Sequence, residues 1–161
     1  ARRHDKTMNQ DRITFIGGGN MAASLIGGLT NNDHPAACIT ATDPLPARRE
    51  ELASRFGINC SDDNASACAN ADVVVLAVKP QVMADVAKGL EDALKKSTPV
   101  VLSIAAGIRG TDIVRWLGYD AAVVRAMPNT PALVGSGITG MFANTNTSDA
   151  DVAIGSDPKG R

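Results

Sequence analysis

The sequence predicts an α/β fold, a doubly wound and mostly parallel sheet with helices on both faces. Three observations predict it. Short apolar runs alternate along the chain with stretches of helical spacing, the pattern that βαβ units leave. The run Val73-Val74-Val75-Leu76-Ala77-Val78 is apolar on both faces, as a central parallel strand should be. The stretch Ile13-Thr14-Phe15-Ile16-Gly17-Gly18-Gly19-Asn20-Met21-Ala22 passes from strand formers through a glycine turn into small helix-starting residues, the Rossmann-type order.

Each element follows from local chemistry. The first strand is expected from Arg12 to Ile16 and the first helix from Asn20 to Leu29. The pair Gly27-Gly28 disfavours that helix by about 1 kcal/mol per residue relative to Ala, so it reads either as fraying or as close approach to another segment. Asn31 to Pro35 is a loop by composition. Ile39 to Thr42 forms the second strand and ends in Asp43-Pro44. Ala47 to Phe56 places Leu52 and Phe56 at helical spacing and closes at Gly57. Ile58 to Cys60 is a short strand, and Asn64 to Ala69 a short helix that Asp63 or Asn64 caps. The central strand stops at Lys79-Pro80. One helix is then expected from Val82 to Leu94, with Val82, Val86 and Leu90 on one stripe. Val100 to Ile104 and Ala121 to Ala126 are strands, and between them Thr111 to Leu117 is a helix started by Gly110 or Thr111. Gly137 to Phe142 is the last expected strand. The domain reading is a tail over residues 1–10, a dinucleotide-binding domain over 11–145, and a truncated linker or tail over 146–161, with Met8 the expected natural start.

Composition narrows the function. A chain of 161 residues suits one domain, and 44% hydrophobic residues suffice for a packed core. Aromatics are only 3%, so Ala, Val, Ile and Leu must build that core, and the composition argues against stacking platforms for single-stranded nucleic acid. The formal charge is -1 and no basic stripe stands out, so no nucleic-acid partner is expected. No apolar run approaches a membrane span and no signal peptide stands at the start, so a cytoplasmic protein with no membrane partner is expected. Cys38, Cys60 and Cys68 are odd in number and contain no Cys-x-x-Cys pair. With only His4 and His34 beside them, no metal site is expected. Cys38 and Cys60 are expected as buried strand thiols, which suits a reducing compartment.

Ligands of such folds sit beyond the carboxyl ends of the strands, and the informative residues gather there. Gly17 allows the tight turn, Gly19 lets the backbone approach a pyrophosphate, and Ala22 takes the place of a third glycine where helix and strand pack closely. The helix start adds free N–H groups and a partial positive charge. After the second strand, Asp43 offers a carboxylate for a ribose 2′-OH, while Arg48 and Arg49 offer charge for a 2′-phosphate, and Thr42 could bond either ribose. NADPH and NADH therefore both stay open, and Asp43 also reads as a turn residue before Pro44. Lys79 could reach a ribose or a substrate carboxylate, or stand in solvent. Pro80 and Ala105-Ala106-Gly107 leave room for flat rings. Asn129 and Thr130, held between Pro128 and Pro131, can donate hydrogen bonds or simply form a turn. Ser24, Ser103 and Ser136 lack a histidine partner, and no spaced carboxylate pair exists, so no catalytic side chain is identified. The chemistry is left to a cofactor that the protein positions.

Four motifs together, Ile16-Gly17-Gly18-Gly19-Asn20-Met21-Ala22, Ala77-Val78-Lys79-Pro80-Gln81, Ser103-Ile104-Ala105-Ala106-Gly107 and Arg125-Ala126-Met127-Pro128-Asn129-Thr130-Pro131, resemble pyrroline-5-carboxylate reductase in order and spacing. The resemblance covers about Arg12 to Ala143, and its last motif is the specific one. It implies reduction of the C=N bond of 1-pyrroline-5-carboxylate to proline, the last biosynthetic step, with NADPH or NADH. By position it implies that Ile16, Gly17, Gly18, Gly19, Asn20 and Met21 hold the pyrophosphate. Thr42 would lie near the adenosine ribose, and Asn64 would touch the cofactor. Ala77, Val78, Lys79 and Pro80, with Ile104, Ala105 and Ala106, would border its two ends, and Met127 and Asn129 would face the nicotinamide. Family members continue into a helical domain that forms a homo-oligomer and holds the imine. The tail Gly155 to Arg161 does not resemble that continuation, so the chain is expected to be a truncated reductase that binds cofactor with little turnover. Two other readings stay beside this one: a 3-hydroxyacid dehydrogenase-like cofactor domain, from which the Met127 to Pro131 loop distinguishes it, and a non-catalytic dinucleotide-sensing module.

Overall fold

The computed structural model describes residues 11–31, 33–105, 107–126 and 150–154. The chain runs β1 (Ile13–Ile16), α1 (Asn20–Asn31), a single 3-10 turn (Ala36–Cys38), β2 (Ile39–Thr42), α2 (Pro46–Phe56), β3 (Asn59–Ser61) and α3 (Asn64–Ala67). It continues through β4 (Val73–Leu76), α4 (Pro80–Gly89), α5 (Glu91–Ser97), β5 (Val100–Ser103), α6 (Gly110–Leu117), β6 (Ala122–Ala126) and β7 (Ala150–Ile154). The strands form one sheet in the order β3-β2-β1-β4-β5-β6-β7. The first six are parallel, and β7 lies antiparallel on β6.

The order reverses direction at β1, where the chain passes from β2 and β3 on one side to β4 on the other. Both faces are covered, and successive residues of the central strands divide between two cores because strand side chains alternate. Ile13, Phe15, Val73, Val75 and Leu102 join Leu25, Ile26 and Leu29 of α1 and Leu52 of α2 in one core. Ile16, Val74, Leu76 and Val101 join Met83 and Ala87 of α4, Leu94 of α5, and Ile113 and Leu117 of α6 in the other. Phe15 is the largest fully buried side chain among the described residues, and deleting its ring should cost about 3–5 kcal/mol.

Most expected elements appear within one or two residues of their expected ends. Four expectations are corrected. The helix expected from Val82 to Leu94 is two helices, with the break at Leu90 (φ -96°, ψ -4°). α5 carries Glu91 and Asp92 in its first turn and Lys95 and Lys96 near its end, the charge order of an independent helix. The buried stripe is also different: Met83, Ala87, Leu90 and Leu94 are buried, whereas Val82 is 43% exposed. Cys38 lies in the 3-10 turn and is half-buried, as is Cys60, and the fully buried thiol is Cys68. Finally, β7 arises within the stretch expected to be linker or tail. Gly27-Gly28 does not end α1. A Cβ on Gly27 would lie 3.4 Å from the Phe56 ring, so this glycine marks the close approach of α2. The Gly137 to Phe142 strand, the first tail (residues 1–10) and residues 146–149 and 155–161 of the second lie outside the described residues.

Candidate functional site

The carboxyl ends of β1, β2 and β4 meet at the glycine turn. Gly17 adopts φ +106° and donates its N–H to the Thr42 carbonyl at 3.0 Å, so the turn is fastened to β2. A Cβ there would lie 2.9 Å from the Ala77 carbonyl oxygen of the neighbouring strand end. Gly18 is buried. Its N–H donates to Asp43 Oδ2 at 3.1 Å, and its carbonyl accepts from Arg48 Nε. Gly19 is exposed, and no atom lies within 4 Å of where its Cβ would stand. Its carbonyl accepts the Ala23 N–H at 3.0 Å, so Gly19 is the residue from which α1 is launched at Asn20. The first N–H groups of α1 have no intrahelical acceptor, and they open beside the bare Gly19 backbone. Ala22 is buried, as a small residue must be where the helix packs on the strand.

Beside this turn lies a cavity of about 250 Å³. Six of the residues singled out in the sequence line it: Ile16, Gly17, Thr42, Asp43, Asn64 and Val78. Pro44, Asp62, Val82 and Val86 complete it and were not singled out as site residues. Val82 and Val86 carried a helical apolar stripe, but periodicity does not say whether a stripe faces a core or a cleft. The cavity is smaller than the roughly 300–1,000 Å³ that encloses a whole drug-sized ligand, so it fits one end of a longer one.

The remaining candidates stand along the same rim without lining this cavity. Asn20 and Met21 are exposed on the first turn of α1. Ala77 donates its N–H to Ile16 at 2.9 Å. Exposed Lys79 precedes α4, whose first residue is Pro80. Ile104 and Ala105 are half-buried just beyond β5. Ala106, Met127 and Asn129 lie outside the described residues.

The charged groups are joined to the protein's own turn. Asp43 Oδ2 takes the Gly18 N–H, and its Oδ1 takes the Leu45 N–H at 2.9 Å. Arg48 holds the Gly18 carbonyl through Nε and Glu51 through Nη1 at 2.7 Å. Arg49 Nη1 donates to the Asp43 carbonyl at 2.8 Å. Asp62, by contrast, is exposed at the cavity edge and makes no ion pair among the described residues. Among the described residues no group of three or more His, Cys, Asp or Glu side chains could hold a metal ion, and no helix is long and apolar enough to cross a membrane.

The arrangement suits an anionic, extended ligand: bare glycine backbone and a helix start for phosphate, with a half-apolar cleft beside them. Comparison with known proteins agrees with that reading. Residues 12–107 match the family described as NADP oxidoreductase, coenzyme F420-dependent. A pyrroline-5-carboxylate reductase of Pseudomonas aeruginosa is 51% identical over 143 residues, which are 89% of this chain and 52% of that protein. The solved pyrroline-5-carboxylate reductase of Coxiella burnetii superposes with a TM-score of 0.73 at 39% identity, over 78% of this chain and 46% of that one. The Plasmodium falciparum pyrroline carboxylate reductase, solved with NADP bound, shares the fold at a TM-score of 0.70 and 23% identity, over 86% of this chain and 54% of that one. The chain spans about half the length of the curated relatives it matches.

Proposed function

Because the chain belongs to the family described as NADP oxidoreductase, coenzyme F420-dependent, we propose that it is the cofactor-holding part of an enzyme reducing 1-pyrroline-5-carboxylate to proline with NADPH or NADH. The observation that carries this reading is the glycine turn itself. Gly17 is forced by its neighbour, whereas Gly19 leaves an open cradle that a Cβ would fill. At the turn between a strand and the helix that follows it, such an open glycine suits a ligand that approaches the backbone. The 51% identity to the Pseudomonas reductase supports the substrate.

The residues fit the cofactor. Ile16, Gly17, Gly18, Gly19, Asn20 and Met21 would hold its pyrophosphate, with the first turn of α1 contributing N–H groups. Thr42 and Asn64, which both line the cavity, would bond the adenosine ribose, with Asp43 beside them. Ala77, Val78, Lys79, Pro80, Ile104 and Ala105 would border the path toward the nicotinamide, and Ala106, Met127 and Asn129 would continue it. The bound cofactor supplies hydride to the imine carbon. The chain's own part is to fix that donor at a set height above the strand ends and to keep water from the apolar wall formed by Val78, Val82 and Val86. The residues that hold the imine are proposed to belong to the half of the relatives that this chain does not span, as is the contact that makes a homo-oligomer. The partner is thus a small imine, and the setting proposed is the cytoplasm.

The test is NAD(P)H oxidation by the intact gene product with 1-pyrroline-5-carboxylate, beside nucleotide binding by the 161-residue chain. Binding together with substrate-dependent oxidation is expected. Binding without any imine reduction at full length would overturn the reductase reading and leave a dinucleotide module.

A further inference from the structure

The middle glycine of the turn is held from both sides by residues that lie 25 and 30 positions later. The Gly18 N–H points at the Asp43 carboxylate, and the Gly18 carbonyl takes the Arg48 guanidinium. In the usual glycine fingerprint this middle position is free to vary. Here it is packed: a Cβ on Gly18 would lie 2.9 Å from Leu52 Cδ1 of α2 and 3.2 Å from Asp43 Oδ2. The two clamping residues are themselves fixed. Asp43 Oδ1 takes the Leu45 N–H in the turn before α2, Arg49 holds the Asp43 carbonyl, and Glu51 holds the far side of Arg48. The remaining Arg48 nitrogen, Nη2, is buried and makes no hydrogen bond, so this guanidinium is turned into the protein. The carboxylate and the guanidinium thus hold opposite ends of one peptide group, while Glu51 is the ion-pair partner of Arg48. Neither is directed at the cleft as a free charge.

We propose that Asp43 and Arg48 act as a clamp on the Gly18 peptide that sets the phosphate-binding turn, so that Asp43 supports NADH and NADPH equally instead of choosing between them. This rests on the dinucleotide reading above. Asp43 is then a positioning residue: it acts on the pyrophosphate through Gly18, not on the ribose. A ribose-reading carboxylate would favour the 2′-OH cofactor and oppose the 2′-phosphate.

The clamp is read first without nucleotide, by hydrogen exchange at the Gly18 amide in the 161-residue chain and in Asp43→Leu and Asp43→Asn. Exchange should quicken at least tenfold in Asp43→Leu and less in Asp43→Asn, which keeps one acceptor oxygen. Unchanged exchange would overturn the clamp, whatever the chain binds. Calorimetric titration with NADH and with NADPH follows. Asp43→Leu and Arg48→Met should each weaken both cofactors by about tenfold, the factor carried by one hydrogen bond to a charged group. The NADH/NADPH ratio should stay within about threefold of the parent, the range open to a screened surface charge. If Asp43→Leu does not fold, the same ratio is read on Asp43→Asn. A ratio that shifts tenfold toward NADPH would make Asp43 a ribose reader and overturn the proposal, as would two unchanged affinities. A parent chain that binds neither nucleotide would refute the dinucleotide reading and the role of the clamp in binding, while the exchange result would still report whether the clamp exists.

Discussion

Gly17 and Ala77 stand so close across the ends of β1 and β4 that a methyl group on Gly17 would lie 2.9 Å from the Ala77 carbonyl oxygen. Gly17 also holds φ +106°, which L side chains rarely adopt. Two independent constraints thus fix this glycine for the fold. Gly17→Ala should destabilise the chain by about 1–3 kcal/mol, seen as a melting temperature several degrees lower. An unchanged melt would mean that the turn relaxes at little cost.

Gly19, two residues on, is the opposite case. Nothing lies within 4 Å of its Cβ position and its φ is not positive, so Gly19→Val should keep the fold within about 1 kcal/mol. Its side chain would occupy the proposed pyrophosphate cradle, and NADPH affinity should fall by more than tenfold, measured by nicotinamide fluorescence. Unchanged affinity would remove the pyrophosphate from this turn. The pair of variants separates a glycine needed by the protein from one needed by its ligand.

The sequence carried the sheet because its central strands are apolar at nearly every position, which only a doubly covered sheet explains. It carried the rim because glycines, Asp43 and Lys79-Pro80 fall where those runs stop. It did not carry the clamp. Asp43 and Gly18 are 25 residues apart, and their bond depends on how the Asp43-Pro44-Leu45 turn folds back. Nor did it place α4, where two apolar stripes at similar spacing competed. Met83 and Ala87 went to the core, whereas Val82 and Val86 line the cleft, and periodicity alone does not choose between the two stripes.

Thiol reactivity should follow burial. Cys68 is fully buried, and burial pushes its thiol up to about 12, whereas Cys38 and Cys60 are half-buried. Burial also raises the Cys60 thiol, partly offset by the nearby Arg49 charge. Since the thiolate is the nucleophile, a disulfide reagent at neutral pH should modify Cys38 first and leave Cys68 intact until the chain unfolds. Early labelling of Cys68, read by peptide mass spectrometry, would show that α3 opens readily.

His34 should make stability fall on acidification. It is buried after α1, with Nε2 2.8 Å from the Asp11 carbonyl. Burial holds its imidazole below the ordinary 6.5, against the opposing pull of the Asp11 carbonyl and charge. The unfolded chain therefore takes up this proton first as pH drops through about 6.5. Unfolding is favoured from there down to the lower folded-state value, below which the loss is complete. His34→Gln keeps a donor for the Asp11 carbonyl and has no proton to gain. Its denaturation midpoint should vary less across that window, and an equal slope in both proteins would assign the acid sensitivity to other groups.

Asp62 should weigh against the 2′-phosphate that Asp43 ignores. It lies at the cavity edge just after Ser61, whose carbonyl accepts the Asp43 N–H, and is exposed and without an ion pair among the described residues. Asp43, by contrast, has both carboxylate oxygens taken by backbone N–H groups, those of Gly18 and Leu45. A 2′-phosphate entering the cleft would meet in Asp62 an exposed carboxylate with no ion pair among the described residues. Because that carboxylate is hydrated, the repulsion is modest, on the order of 0.5–1 kcal/mol, and salt should screen it. Asp62→Asn is therefore expected to favour NADPH over NADH by about two- to fivefold at low salt, with the gain shrinking at high salt. Paired titrations of both nucleotides at two salt concentrations measure this. A gain that persists at high salt would point to a direct hydrogen bond from the new amide instead of lost repulsion. No gain at either would place the 2′-phosphate away from Asp62.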